Sequence, residues 1–377
     1  MRSLLYLSSS LTFSTALLAG CGGSNAPTST APPPPVTPTY AASAQYAYVA
    51  TTKGFVDEYS ISASGQWTQI GSATPAFSTD GGAALAIDSG HRFLYSLAGG
   101  EANSYISMFT ITPGTGLLVP TSPAYVTIAG TLSQGIAVDG LGKFVYTADT
   151  DSNTVTSLVI NQTTGVLTPT SVTSIAGPRE ADGVNTDASG KYVYVSGKFG
   201  NINEYVINQT TGNLTPNNPA TADGGPGAFV GTINAAGTYF YSPPGQDGDY
   251  IAVLSIDPAT GVLSGGADAD TTTASGPSSV ALTSDGKYAY VANRGDNTLA
   301  MYTVAASTGL LTSFGATVPP GSDEPNSIVI DPSGQLAYVS CFGGDITIFG
   351  IEADGTLTQV GSVADVNGPQ VTVLVPR

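Results

Sequence analysis

The sequence predicts an all-β chain folded as a seven-bladed β-propeller. Each blade has four antiparallel strands, and the ring is closed by the C-terminal strand joining blade 1. Three observations carry this. An alternating run around a tyrosine recurs at Tyr48, Tyr95, Tyr146, Tyr194, Tyr241, Tyr290 and Tyr338, a period of about 48 residues. A glycine in a short polar turn follows each copy, at Gly65, Gly116, Gly165, Gly212, Gly261, Gly309 and Gly355. An apolar run, usually preceded by Pro as in "GPSSVAL" and "EPNSIVI", opens most units.

One unit shows the four strands: A "SSVAL", B "KYAYVA", C "TLAMYTV" and D "LLTSF". A single such sheet cannot bury both faces, whereas seven arranged radially can. The chain enters at a B strand, "QYAYVA" (45–50). It leaves at "NGPQVTVLV" (367–375), which has the pattern of an A strand. Pairing the two removes open sheet edges.

The residues ahead of the first B strand read differently. Arg2 is followed by an apolar run over 4–18 and then "LLAGC". The small residues before Cys21 resemble a bacterial lipobox, which implies a signal peptide over 1–20 and lipidation of Cys21. Residues 21–44 are rich in Pro, Ser, Thr and Ala and should form an extended tether. The propeller then occupies 45–377. The expected address is that of an exported bacterial lipoprotein in the periplasm or at the cell surface, held to the membrane by its lipid anchor only.

Composition narrows the function. Formal net charge is −17, with ten Lys and Arg among 377 residues. Nucleic acid is excluded as a partner, because phosphate binding needs clustered cations. Past Cys21, Cys341 is the only cysteine, so no disulfide forms within the processed chain. His91, the only histidine, falls in an A–B turn, and Cys341 reads as a small buried side chain. A Ser-His-Asp triad and a His-ligated zinc are therefore excluded from the opposite face.

The A–B and C–D turns are short and uniform; the B–C and D–A connections vary. Function favours variable loops on a rigid scaffold, so the B–C/D–A face is the candidate. Lys53, Arg179, Lys198 and Arg294 fall there beside acids that include Asp149, Glu180, Asp296, Asp323 and Glu324. Such a mixed ring around a channel suits a small anionic or sugar-like ligand. An envelope protein is the other partner considered, with the propeller itself a monomer. The bland alternative is a set of solvated loop charges on a non-catalytic envelope scaffold. No cofactor and no metal is expected. Loops such as "DTDSN" (149–153) and "GQDGD" (245–249) offer oxygen ligands for calcium but lack the spacing of a known calcium loop. Arg294-Gly295-Asp296 reads as an ordinary B–C loop of blade 6 and not as an adhesion motif.

The stretch "SDGKYAYVANRGDNTLAMYTVAASTGLLT" (284–312) resembles the commonest blade of the lactonase-type, 6-phosphogluconolactonase-like propellers, and of YVTN-repeat propellers more widely. "GPREADGVNTDASGKYVYV" (177–195) is similar to the family's central blade. The resemblance spans about 45–377. It implies a lactone hydrolase, a carboxylic ester hydrolase, in which Arg179, Arg294 and Lys198 grip the substrate's anionic group and Glu180 acts as base. Glu180 stands where the family has a histidine, and "SGKFGN" (196–201) stands where it has an Asn-Glu pair.

Overall fold

The computed structural model describes residues 39–76, 83–175, 181–197, 200–224, 230–244, 248–265, 271–365 and 367–377. The signal peptide, Cys21 and all but the last residues of the tether lie outside them, as do Arg179, Glu180 and Lys198. Residues Thr39–Arg377 form one compact unit.

Seven antiparallel sheets follow one another, as the repeat predicts. In blade 1, strand B (Ala44–Thr51) pairs with strand C (Phe55–Ile61) and with strand A, which is the C-terminal Pro369–Pro376. The closing register sets Ala47 opposite Leu374 and Val49 opposite Thr372. The A strands of blades 2 to 7 are Ala83–Ile87, Ser133–Val138, Ala181–Thr186, Thr232–Ile233, Pro277–Leu282 and Pro325–Ile330. The outer D strand is split in blade 1 (Trp67–Gln69, Thr74–Pro75) and in blade 5 (Leu263–Gly265, Thr271–Thr272).

The apolar core divides into slabs, one between each neighbouring pair of blades. In the slab between blades 3 and 4, Tyr146 and Val155 pack against Val184, Val193 and Tyr205. Alternation along the strands supplies this, since successive side chains face opposite neighbours. Acidic residues in A–B turns tie the chain locally. Asp139 Oδ1 accepts from the backbone N–H of Lys143 and of Phe144, both at 2.6 Å.

Residues 40–44, which the sequence groups with the tether, dock on blade 7. The Tyr40 hydroxyl bonds the Glu352 carboxylate. The backbone N–H groups of Ser43 and Ala44 reach Asp331 at 2.8 and 3.0 Å. Burial alone would raise the Asp331 pKa, but the hydrogen bonds it accepts from Ser43, Ser333 and Ala44 outweigh that and hold it below the ordinary carboxylate value.

Candidate functional site

A central cavity of about 720 Å³ opens on the B–C/D–A side, and every blade contributes to its wall. Its construction follows from one repeated irregularity. In strand A of blades 1, 3, 4, 6 and 7 the ladder with strand B slips by one residue, leaving Gln370, Gln134, Asp182, Ser278 and Asn326 outside the pairing. A bulge re-aims the unpaired residue, and all five line the cavity as a polar collar.

Two residues further along each A strand stand Thr372, Ile136, Val184, Val280 and Ile328. Each is opposite the residue that follows the repeated tyrosine of its blade. Leu85 holds the same register in blade 2. These residues border the cavity below the collar with their side chains buried, and all but Thr372 are aliphatic. Hydrogen bonds stitch the inner strands together. Asn185 donates to the Gly231 carbonyl at 2.8 Å, Thr232 to Val280 at 2.7 Å and Asn326 to Gln370 at 2.9 Å.

Among the sequence-predicted residues that are described, Arg294 lines this cavity. Its guanidinium lies 4.5 Å from the centre of the Phe342 ring and donates to Glu324 Oε2 at 2.8 Å. A smaller recess of about 260 Å³ lies on its other side, walled by Ser275, Gly276, Gly295 and Glu324. Glu324 has a left-handed backbone (φ 57°), rare for a residue with a side chain, and so has Asn297 (φ 55°). The two are tied: the Glu324 N–H donates to Asn297 Oδ1 at 3.0 Å, and Asn297 Nδ2 donates to Asp323 Oδ1 at 2.7 Å. A glutamate held in this region and tied to its neighbour marks a place where the scaffold over-determines one geometry. Stacking and pairing together fix the guanidinium more firmly than an exposed ion pair alone would.

Other predicted residues take different places. Asp296 accepts from the backbone N–H of Ser275 at 2.6 Å and so braces the loop that carries Arg294. Asp323 holds Asn297 and with it the turn of Glu324. Lys53 lines a separate cleft of about 440 Å³ between blades 7 and 1, which shares only Phe342 with the central cavity. Asp149 is not a solvated loop charge. It is fully buried and accepts from Ser133, Thr147, Thr154 and Thr156 at 2.5–3.2 Å. Burial raises its pKa despite these four donors. Over the described wall the charged residues are Arg294, Asp151 and Asp182, set among neutral polar and aliphatic residues; Arg179, Glu180 and Lys198 of the expected ring lie outside the described residues.

His91 sits exposed in its turn, and Cys341 is fully buried with its thiol pushed up to about 12 by desolvation. Among the described residues no group of three or more His, Cys, Asp or Glu is placed to hold a metal ion. The neutral collar residues carry no charge to attract notice in the sequence. Their signal is positional: in "GPSSV", "EPNSI" and "GPQVT" the collar residue directly follows the proline.

A family model described as Lactonase, 7-bladed beta-propeller matches residues 39–182 and 266–375, more than half of the chain. No curated protein matches the sequence. Among solved structures, a 6-phosphogluconolactonase candidate from Bacteroides fragilis superposes with a TM-score of 0.76 at 22% identity, over 88% of this chain and 98% of its own. The periplasmic gluconolactonase of Pseudomonas aeruginosa gives a TM-score of 0.74 at 17% identity, over the same shares. A 6-phosphogluconolactonase candidate from Bacteroides uniformis gives 0.75 at 18% identity, over 88% of this chain and 100% of its own. At these identities the structures show a shared fold.

Proposed function

The chain belongs to the lactonase family of seven-bladed β-propellers, and from that premise we propose that it takes a small lactone, or the acid formed when the lactone opens, in the central cavity. The observation that carries this is Arg294. A guanidinium stacked on Phe342 and paired with Glu324 at the rim of the cavity presents directed N–H donors to a carboxylate or to a lactone carbonyl.

Hydrolysis is the second reading, favoured by the family and by the carboxylates of Asp151 and Asp182 on the cavity wall. Without a histidine on this face, a carboxylate must serve as the base that activates water. A guanidinium beside the carbonyl stabilises the oxyanion as the ring opens. Glu180, Arg179 and Lys198 remain candidates for base and anion grip on the resemblance. Export as a lipoprotein through Cys21 belongs to the same proposal. It rests on "LLAGC" and the tether, and the Pseudomonas aeruginosa neighbour is itself named periplasmic.

The test is a panel of γ- and δ-lactones and their acids, followed by pH-stat titration and by thermal shift. Turnover that falls about 10- to 100-fold in Arg294→Ala supports hydrolysis, that being the scale of a charge-assisted hydrogen bond. A thermal shift lost in the variant, with no turnover in either protein, supports binding alone. A panel without turnover or shift overturns both readings.

A further inference from the structure

We infer that the ligand of the central cavity is amphipathic: a lactone or carboxylate bearing an aliphatic chain, its polar head at Arg294 and the collar, its chain over the apolar wall beneath. The inference rests on the proposed function and narrows its substrate class.

Three observations carry it. Below the collar, Leu85, Ile136, Val184, Val280 and Ile328 back the cavity from five blades at one level, their side chains buried between blades, and Val329 and Val371 line it half-buried beside them. The inner strand edges, which would otherwise offer backbone carbonyls to a hydroxylated guest, are partly consumed. The carbonyls of Gly231, Val280, Pro325 and Gln370 already accept from Asn185, Thr232, Ser278 and Asn326. The charged groups on the described wall, Arg294, Asp151 and Asp182, belong to the rim or the collar and not to the level beneath. A ring of hydroxyls pushed into such a wall would lose water without gaining partners. A hydrocarbon chain would gain from the same transfer. The volume of about 720 Å³ is enough for a lactone ring with a chain of several carbons.

The experiment is a chain-length series on the full-length protein. γ-Butyrolactone, γ-hexalactone, γ-octalactone and γ-decalactone are compared with glucono-δ-lactone by isothermal titration, together with their ring-opened acids. Affinity is expected to rise about three- to four-fold per added methylene until the cavity is filled, from the transfer free energy of a CH₂ group. Val230, exposed on the cavity wall, gives a variant that narrows the space without cutting the core. Val230→Trp should abolish the gain with chain length. Glucono-δ-lactone binding as tightly as γ-octalactone or better overturns this inference and leaves the lactone reading standing. Absence of binding by every lactone and acid overturns the lactone reading and the inference with it.

Discussion

At the scale of single residues, the two most regular markers of the sequence are the two ends of one hydrogen bond. The hydroxyl of Tyr48 donates to the carbonyl of Gly116 in the next blade at 2.7 Å, and Tyr95 does the same to Gly165 at 3.0 Å. Tyr146, Tyr194, Tyr241 and Tyr290 repeat it with Gly212, Gly261, Gly309 and Gly355. Burial raises the pKa of each of these tyrosines. The glycine is needed twice over. Gly165 has φ 74°, and a Cβ there would sit 2.4 Å from the Phe93 ring. The joint between blades 7 and 1 departs from the rule: Tyr338 packs at 4.9 Å against Trp67, which stands where other turns have an aliphatic residue. Tyr95→Phe should cost about 1 kcal/mol of unfolding free energy, the worth of a buried hydrogen bond. Gly165→Ala should cost about 2–4 kcal/mol, because strain and overpacking add. Equal losses in denaturant titrations would contradict the double role of the glycine.

At the scale of the element, the C strands carry a buried group facing the next blade. In blade 2 it is Met108, whose sulfur accepts from the Leu167 N–H at 3.1 Å. In blade 4 the same register holds Glu204, which accepts from the Leu263 N–H at 3.1 Å and leaves its other oxygen without a partner. Desolvation pushes its pKa up to about 7. A raised folded pKa means that stability is fully present below the unfolded value and is lost as pH rises through about 7. Glu204→Met should therefore match the parent near pH 4.5 and exceed it by about 1–2 kcal/mol at pH 8. A pH-independent difference in melting would contradict this. Much at this scale was legible: the B strands and their turns follow from alternation and from glycine. The collar was not, since a bulge depends on how two strands pair and leaves no mark in either alone. Asp149 was misplaced for a related reason. Two of its four hydroxyl donors come from strand C of its blade and a third from strand A, and nothing in "DTDSN" announces them.

At the scale of the whole molecule, the repeat count and the ring closure could be read before the structure, because both follow from periodicity. The chemistry of the cavity could not, because it is assembled from residues about 48 positions apart that meet only when the ring closes. The placement of Lys53, Arg179, Lys198 and Arg294 beside acids suggested a mouth of mixed charge, whereas the described wall is mostly neutral and holds Arg294 against Phe342. Fixing one guanidinium at the rim of the cavity directs its N–H donors at a ligand head group. The central claim is that the B–C/D–A mouth is the working end of the propeller. Amide hydrogen exchange with and without saturating γ-octalactone tests it most directly. Slowed exchange confined to the loops at 294–297, 323–324 and 342–344 is the predicted result. Protection confined to the A–B turns at 88–92, 139–143 and 284–287 would contradict it.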